Sequence, residues 1–352
     1  MEKEILNIKP LEKQKNIHKN KILGIIFARA FCSIGILIFH YFCHSNGNFK
    51  FLFTTANATF GFMFTTSFFC ISGTVLYHNY PKIKSLKIFY YKRWRSIFPS
   101  YYICFSYFFL NTAFVRHKLF FNGHWTKLFY TLFGLDGYLS YKIKTYFIVG
   151  EWFLGAIIMI YILYPLLLWL INKNIFIIYL IVSFFYFIMY KTNIFIIIKD
   201  INIITCINSF YFGMIFIKYK HFFFNNKITL IISIILLTIL CLIKINNFIL
   251  IHQIQGFSLY VILIRFGTFI MSKYKAKIFN EISTISYSIY LIHHRIIYDI
   301  LGLSNPIEWY LHIILLGIVF ALTIICSQIH FIVVNSVINS RIFKKLDSFF
   351  MV

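Results

Sequence analysis

Carboxylates are what this 352-residue chain has least of, ten Asp and Glu against 34 Lys and Arg. The ten lie in the N-terminal tail, in loops or at helix ends, with Glu151 and Asp299 the borderline cases. Ionisable groups inside a bilayer mark ion pathways, and ion-coupled carriers usually depend on intramembrane Asp or Glu. Their near absence disfavours a proton antiporter, and equally a membrane glycosyltransferase or polymerase that needs acidic groups within its spans. Charge of either sign is scarce, at 12% of residues, about half the fraction of a soluble domain. Cys32, Cys43, Cys70, Cys104, Cys206, Cys241 and Cys326 fall in or at the ends of apolar runs, without redox or metal spacing. They read as small packing residues, and no metal is expected. Internal repeats and low-complexity linkers are also missing, which leaves a single membrane domain.

Long apolar runs take the place of what is missing. Hydrophobic residues make up 60% of the chain and mean hydropathy is +0.78. Runs such as Ile228 to Ile243 and Leu311 to Ile325 recur throughout. A span needs about 20 mostly apolar residues, and on that measure the chain reads as an all-α integral membrane protein of about ten transmembrane helices. They are placed at 22–43, 55–78, 96–114, 152–171, 175–190, 201–217, 228–245, 249–271, 284–301 and 310–334. A basic stretch precedes the first run, which itself contains Arg29, and this argues against a cleaved signal peptide. The expected division is a basic N-terminal segment over 1–21, a membrane domain over 22–340 and a tail over 341–352.

Lys and Arg stay on the cytoplasmic side during insertion. With both termini inside, the inner segments hold 22 basic residues, from Lys3 to Lys21, Lys82 to Arg95, Lys173, Lys218 to Lys227, Lys273 to Lys277 and Arg341 to Lys345. The outer segments, carrying Lys50, Arg116, Lys118, Lys127, Lys142, Lys144, Lys191, Lys199 and Lys244, hold nine. The net charge of +24 then serves insertion and attraction to anionic lipid, not nucleic acid.

Few ionisable residues fall within the spans: Arg29, His40, His252, Arg265, His293, His294, Arg295, His312 and His330. Arg29 and His40 are eleven positions apart, which places them about 20° apart around a helix and about 16 Å apart along it. They share a face. The bland reading is a snorkelling arginine and an interfacial histidine. A second cluster, Lys92, Arg93 and Arg95, is expected directly before the third span, ending at Pro99. It serves either as a positive-inside signal or as a fork of phosphate donors. In Phe68–Gly73, Ser72-Gly73 is more simply a close-packing step between helices than a nucleophile.

Taken in order, these pieces resemble the acyltransferase 3 family of multi-pass membrane acyltransferases. Arg29 and His40 resemble its arginine, ten residues, then histidine. Phe68 to Gly73 resembles its "FFxISG" segment, and Lys92 to Pro99 its basic run before "IFP". Trp152 through Pro165 resembles its "W-x-L … FYLLYP" span, and Ser286 through His293 its "SYSIYLWH" segment. The chain departs from that pattern at Ser96, where a second arginine is usual, at Ile157 in place of a glutamate, and at Arg295 in place of a proline. The last span is followed by no hydrolase-like domain in this sequence, as in the stand-alone form.

The resemblance implies an O-acyltransferase of a bacterial plasma membrane, with acyl-CoA, most often acetyl-CoA, as donor substrate rather than bound cofactor. The acceptor it implies is a hydroxyl of a surface polysaccharide or lipid-linked glycan, and no nucleic-acid partner is expected. His40 is then the general base. Arg29, Lys92, Arg93 and Arg95 hold the donor, and Ser72, Trp152, Tyr287 and His293 are further site candidates. His293 also reads as a packed, hydrogen-bonded structural residue. The alternative class is a multi-pass carrier for a glycan or lipid-linked sugar, which would not consume acetyl-CoA.

Overall fold

Apolar runs broken by short polar connectors dictate a bundle of helices, and the computed structural model is all-helical among its described residues. These are 8–46, 49–116, 124–143, 149, 152–192, 197–245, 249–274 and 277–351, with side chains from residue 23 onward except at 50, 115, 116, 190 and 249. Glu151, Lys3, Lys118, Lys144 and Lys275 lie outside them. The long helices are α1 (Ile8–His44), α2 (Phe60–Asn79), α3 (Leu86–Arg116), α4 (Trp152–Lys173), α5 (Ile175–Lys191) and α6 (Ile203–Lys218). They continue with α7 (Lys227–Leu242), α8 (Ile249–Tyr274), α9 (Lys277–Leu303), α10 (Trp309–Ile338) and a short α11 (Arg341–Met351).

Five of these are long and apolar enough to cross a membrane: α1 from Leu23, α2, α4, α8 from Leu250, and α10. Ile175–Met189, α6 and α7 are apolar but shorter. The other two are less apolar: Ser, Tyr, Asn and Pro dilute the charge-free 96–114 stretch of α3, and α9 carries Ser, Tyr and His beside its charges. Lys87, Lys92, Arg93 and Arg95 fall in α3, and Lys277, Glu281, Arg295 and Asp299 in α9. The expected start of the third helix at Ser96 is corrected by ten residues. α3 begins at Leu86, so Lys92, Arg93 and Arg95 ride on the helix itself. The first helix begins at Ile8, so the described part of the basic N-terminal segment is helical and continuous with the first apolar run.

Local chemistry sets the breaks between elements. Asn174, Asn202 and Asn226 each cap the following helix, accepting from the amides of Phe176, Ile204 and Ile228 at 2.9, 3.0 and 2.8 Å. An asparagine cap satisfies a donor that apolar surroundings would strand. α1 packs between α8, α9 and α2, and α2 lies along α6. The α2–α6 crossing is close enough to be backbone on backbone. A Cβ at Gly73 would fall on the Phe210 carbonyl, and one at Gly213 on the Cys70 carbonyl. Thr74 Oγ1 donates to Gly213 O at 2.8 Å across the same seam. Small residues at a helix interface permit this approach, so Gly73 is the packing residue its sequence context predicts.

The bundle turns apolar side chains outward as well as inward. On α10, Ile313, Ile314, Ile325, Ile329 and Ile332 are exposed, while His312, Thr323, Ser327 and His330 face the interior. That inversion suits a lipid surround. At the far end, α11 folds back onto α3. Asp347 pairs with Arg95 at 2.9 Å and accepts from Tyr91 Oη at 2.8 Å, and Phe350 stacks on Tyr91.

Candidate functional site

Two cavities run through the bundle and share a boundary. The larger, about 500 Å³, is lined by Lys92, Arg93 and Arg95 of α3, Tyr287 and Ser288 of α9, and Met351 of α11. The second, about 310 Å³, lies deeper and holds Arg29, Ser33 and Ile36 of α1, Ser72 of α2 and His293 of α9. Arg93, Ser96 and Tyr287 line both. The basic residues and the first helix, more than fifty positions apart in sequence, thus bound two adjoining cavities with shared walls.

α1 supplies one wall as a stripe at helical spacing, Arg29, Ser33 and Ile36, and His40 is the next residue on that face. Ser33 Oγ donates to the Arg29 carbonyl at 2.8 Å. The Arg29 side chain faces the cavity, and among the described residues no carboxylate lies within ion-pair distance of it. A guanidinium in that position offers planar paired donors to an anion. Of the three α3 cations, Arg93 donates to Tyr80 Oη at 3.2 Å and stacks over the Tyr80 ring at 5.0 Å. Arg95 is held by Asp347. Lys92 lines the larger cavity.

His40 is drawn into a group of imidazoles where α1 meets α9. Its ring centroid is 5.4 Å from that of His293 and 4.1 Å from that of His294. His293 is fully buried, and its Nδ1 lies 2.9 Å from Ile289 O and 3.0 Å from Tyr290 O. Two carbonyl acceptors require the proton to sit on Nδ1, which makes Nε2 the basic nitrogen of the ring. His293 lines the deeper cavity directly, and His40 stands beside it.

The remaining expected residues divide. Ser72 reaches the deeper cavity, whereas Trp152 does not line it and packs on Phe69 at 6.1 Å. Tyr287 lies where the two cavities meet and donates to Ile97 O at 3.3 Å. Sequence reasoning missed Tyr161 and Tyr290, which line the deeper cavity, and Ser288, which lines the outer one. Tyr290 Oη accepts from the Leu154 amide at 3.0 Å. The Tyr287/Tyr290 spacing in the matched α9 segment was the available signal. The other intramembrane ionisable groups are occupied structurally. His312 lies 2.9 Å from Tyr41 Oη and 2.8 Å from Pro306 O, His330 bridges Ser288 and Ser100 O, and His252 pairs with Asp200 at 2.7 Å. Arg265 donates to the carbonyls of Phe223 and Asn226, closing the end of a short helix.

No curated protein and no solved structure matches this chain. A family model described as an acyltransferase domain matches residues 22–331, from the start of the apolar part of α1 almost to the end of α10 and across every residue of the recess except those of α10's last turns and α11. The chain belongs to the acyltransferase 3 family.

Proposed function

We propose that this protein transfers an acyl group, acetyl in the first instance, from acyl-CoA to a hydroxyl of a bacterial surface glycan. The observation that carries the reading is Arg29, a guanidinium with no carboxylate partner among the described residues, on the wall of a cavity that adjoins Lys92, Arg93 and Arg95 and reaches His293, with His40 beside it. The donor's phosphates meet cations at the mouth, and its thioester arm extends past Arg29 toward the histidines. His40 accepts the proton of the sugar hydroxyl as that oxygen attacks the thioester carbonyl carbon. The C–S bond then breaks, the acyl ester forms, and the thiolate leaves to be protonated as free CoA.

A second assignment makes His293 the base, favoured by its place on the cavity wall and by the Nδ1 contacts that make Nε2 its basic nitrogen. Replacing each in turn separates the two, because only the true base controls turnover in folded protein. The proposed topology has ten spans, cytoplasmic termini and the basic mouth inside. It is supported by the charge asymmetry and by α1 and α9 running parallel, with His40 beside His293 and His44 beside Tyr298, as first and ninth spans must.

The test is to supply purified protein with acetyl-labelled acetyl-CoA and a glycan acceptor. Label should move to acceptor or water, and surface polysaccharide from a deletion strain should lack ester acetyl signals. A glycan carrier would leave acetyl-CoA intact.

A further inference from the structure

The imidazole group has chemistry that acyl transfer does not need. His40, His293 and His294 each bring a ring nitrogen within 4.8 Å of the other two. α1 contributes one and α9 two consecutive residues, so the convergence exists only because these helices pack side by side. Three imidazole nitrogens are a donor set suited to a borderline divalent cation such as Zn²⁺ rather than to Mg²⁺ or Ca²⁺.

His293 is already prepared as a ligand. Its Nδ1–H is fixed on the carbonyls of Ile289 and Tyr290, the second contact that metal-bound histidines characteristically make, and it sets the tautomer in which Nε2 is the ligand atom. A Zn–N bond of about 2.0–2.1 Å in tetrahedral geometry asks for nitrogens about 3.3 Å apart, so the rings must close by roughly an ångström. The His40 and His294 side chains, only partly buried, can supply that movement. The next charged neighbour, Arg295, is offset by Asp299 at 3.0 Å. The group lies at the end of the bundle beside His44, whose ring is 5.7 Å from that of His294, and Tyr298, which is 54% exposed. A cation therefore has an approach that does not pass through the donor recess.

We propose that His40, His293 and His294 form a Zn²⁺ site, with water or His44 completing the tetrahedron, and that its occupation switches transfer off. A metal-bound nitrogen has no lone pair for a hydroxyl proton, so Zn²⁺ on His40 or His293 removes the base whichever of the two it is. Binding stands on the geometry alone. Only the inhibition rests on the proposed function.

The experiment titrates Zn²⁺ alone into purified full-length protein in detergent, by equilibrium binding and by thermal unfolding, with transfer assayed in parallel. One Zn²⁺ per chain should bind and raise the melting temperature. His294→Gln should weaken binding by ~100-fold or more, since even indirect supports of a metal site cost 10–100-fold. It should also free transfer from Zn²⁺ inhibition. His252→Gln, which removes a histidine paired with Asp200 elsewhere, should change neither. Absence of stoichiometric binding to folded wild-type protein overturns the site, as does binding that survives both His293→Gln and His294→Gln. Histidine-dependent binding that leaves transfer at full rate upholds the site and overturns its inhibitory role, and with it histidine as the base. Should the protein transfer no acetyl at all, the binding and unfolding measurements still decide the site.

Discussion

The α6–α8 contact and the α1 wall of the recess bury the same kinds of group in the same apolar surroundings, with opposite outcomes. On α8, Gln253 is 1% exposed, and its amide is saturated. It donates to Thr205 O at 2.7 Å and Ser209 Oγ at 2.8 Å, and accepts from Asn208 at 2.7 Å and from Tyr186. On α1, Arg29 faces a cavity with no carboxylate beside it among the described residues. A saturated polar knot has spent its capacity on holding helices together, whereas an unpaired cation at a cavity wall keeps its capacity for a ligand. Burial and polarity alone therefore identify nothing. On the proposed function, pairing separates the structural group from the donor-binding one.

The sharpest way to break that contrast is at His40. His40→Ala should lower transfer roughly 10²–10⁴-fold, the usual contribution of a positioned base, while melting temperature stays near wild type. Near-normal glycan acetylation by well-expressed variant would return His40 to an interfacial residue. If instead His293→Gln gives the loss, the base belongs to α9.

Arg29→Gln comes next. Losing a charged contact of about 1.5–3 kcal/mol to the donor should raise the KM for acyl-CoA by ~10–100-fold, with a smaller change in kcat. An unchanged KM in folded protein would mean that Arg29 only snorkels. Arg93→Gln should act in the same direction more weakly, because its guanidinium already leans on Tyr80. Arg95→Gln is expected mainly to loosen α11 through Asp347.

Gln253→Leu tests the other half of the comparison. It strands the partners of four hydrogen bonds and should cost about 1–3 kcal/mol of stability. Acyl-CoA KM should be unaltered in the surviving protein. A selective KM effect would make the knot part of the site.

The smallest effect concerns Asp136, in the short Asp136–Leu139 helix between α3 and α4. Burial raises its carboxyl from 3.8 to about 6, against the opposing hydrogen bond from Thr131 at 2.6 Å. Between those values the folded chain holds a proton that the unfolded chain has lost. Stability should therefore fall as pH rises from about 4 to about 6, then level off. The expected shift is a few degrees in melting temperature, and Asp136→Asn should flatten it. A profile that rises over this range would contradict the assignment.

By itself the sequence determined the helical class, the positions of most breaks and which residues share one face of α1. Hydropathy runs, asparagine caps and an eleven-residue spacing on a helix are local quantities, and Arg29, Ser33, Ile36 and His40 share a face whatever packs against them. It also marked Gly73 as a packing residue, which the Phe210 carbonyl bears out. Pairing was not legible, because hydrogen bonds such as Gln253 to Asn208, or Asp347 to Arg95, join residues 45 and 252 positions apart. Nor did charge placement reveal that α3 starts at Leu86, since a helix turned toward a polar recess tolerates the cations that a lipid-facing span excludes. Only tertiary packing decided that His40 meets His293 and His294, more than 250 residues downstream. No periodicity along a chain encodes which two faces a bundle brings together, because that follows from the complementary shapes of α1 and α9 and not from either helix alone.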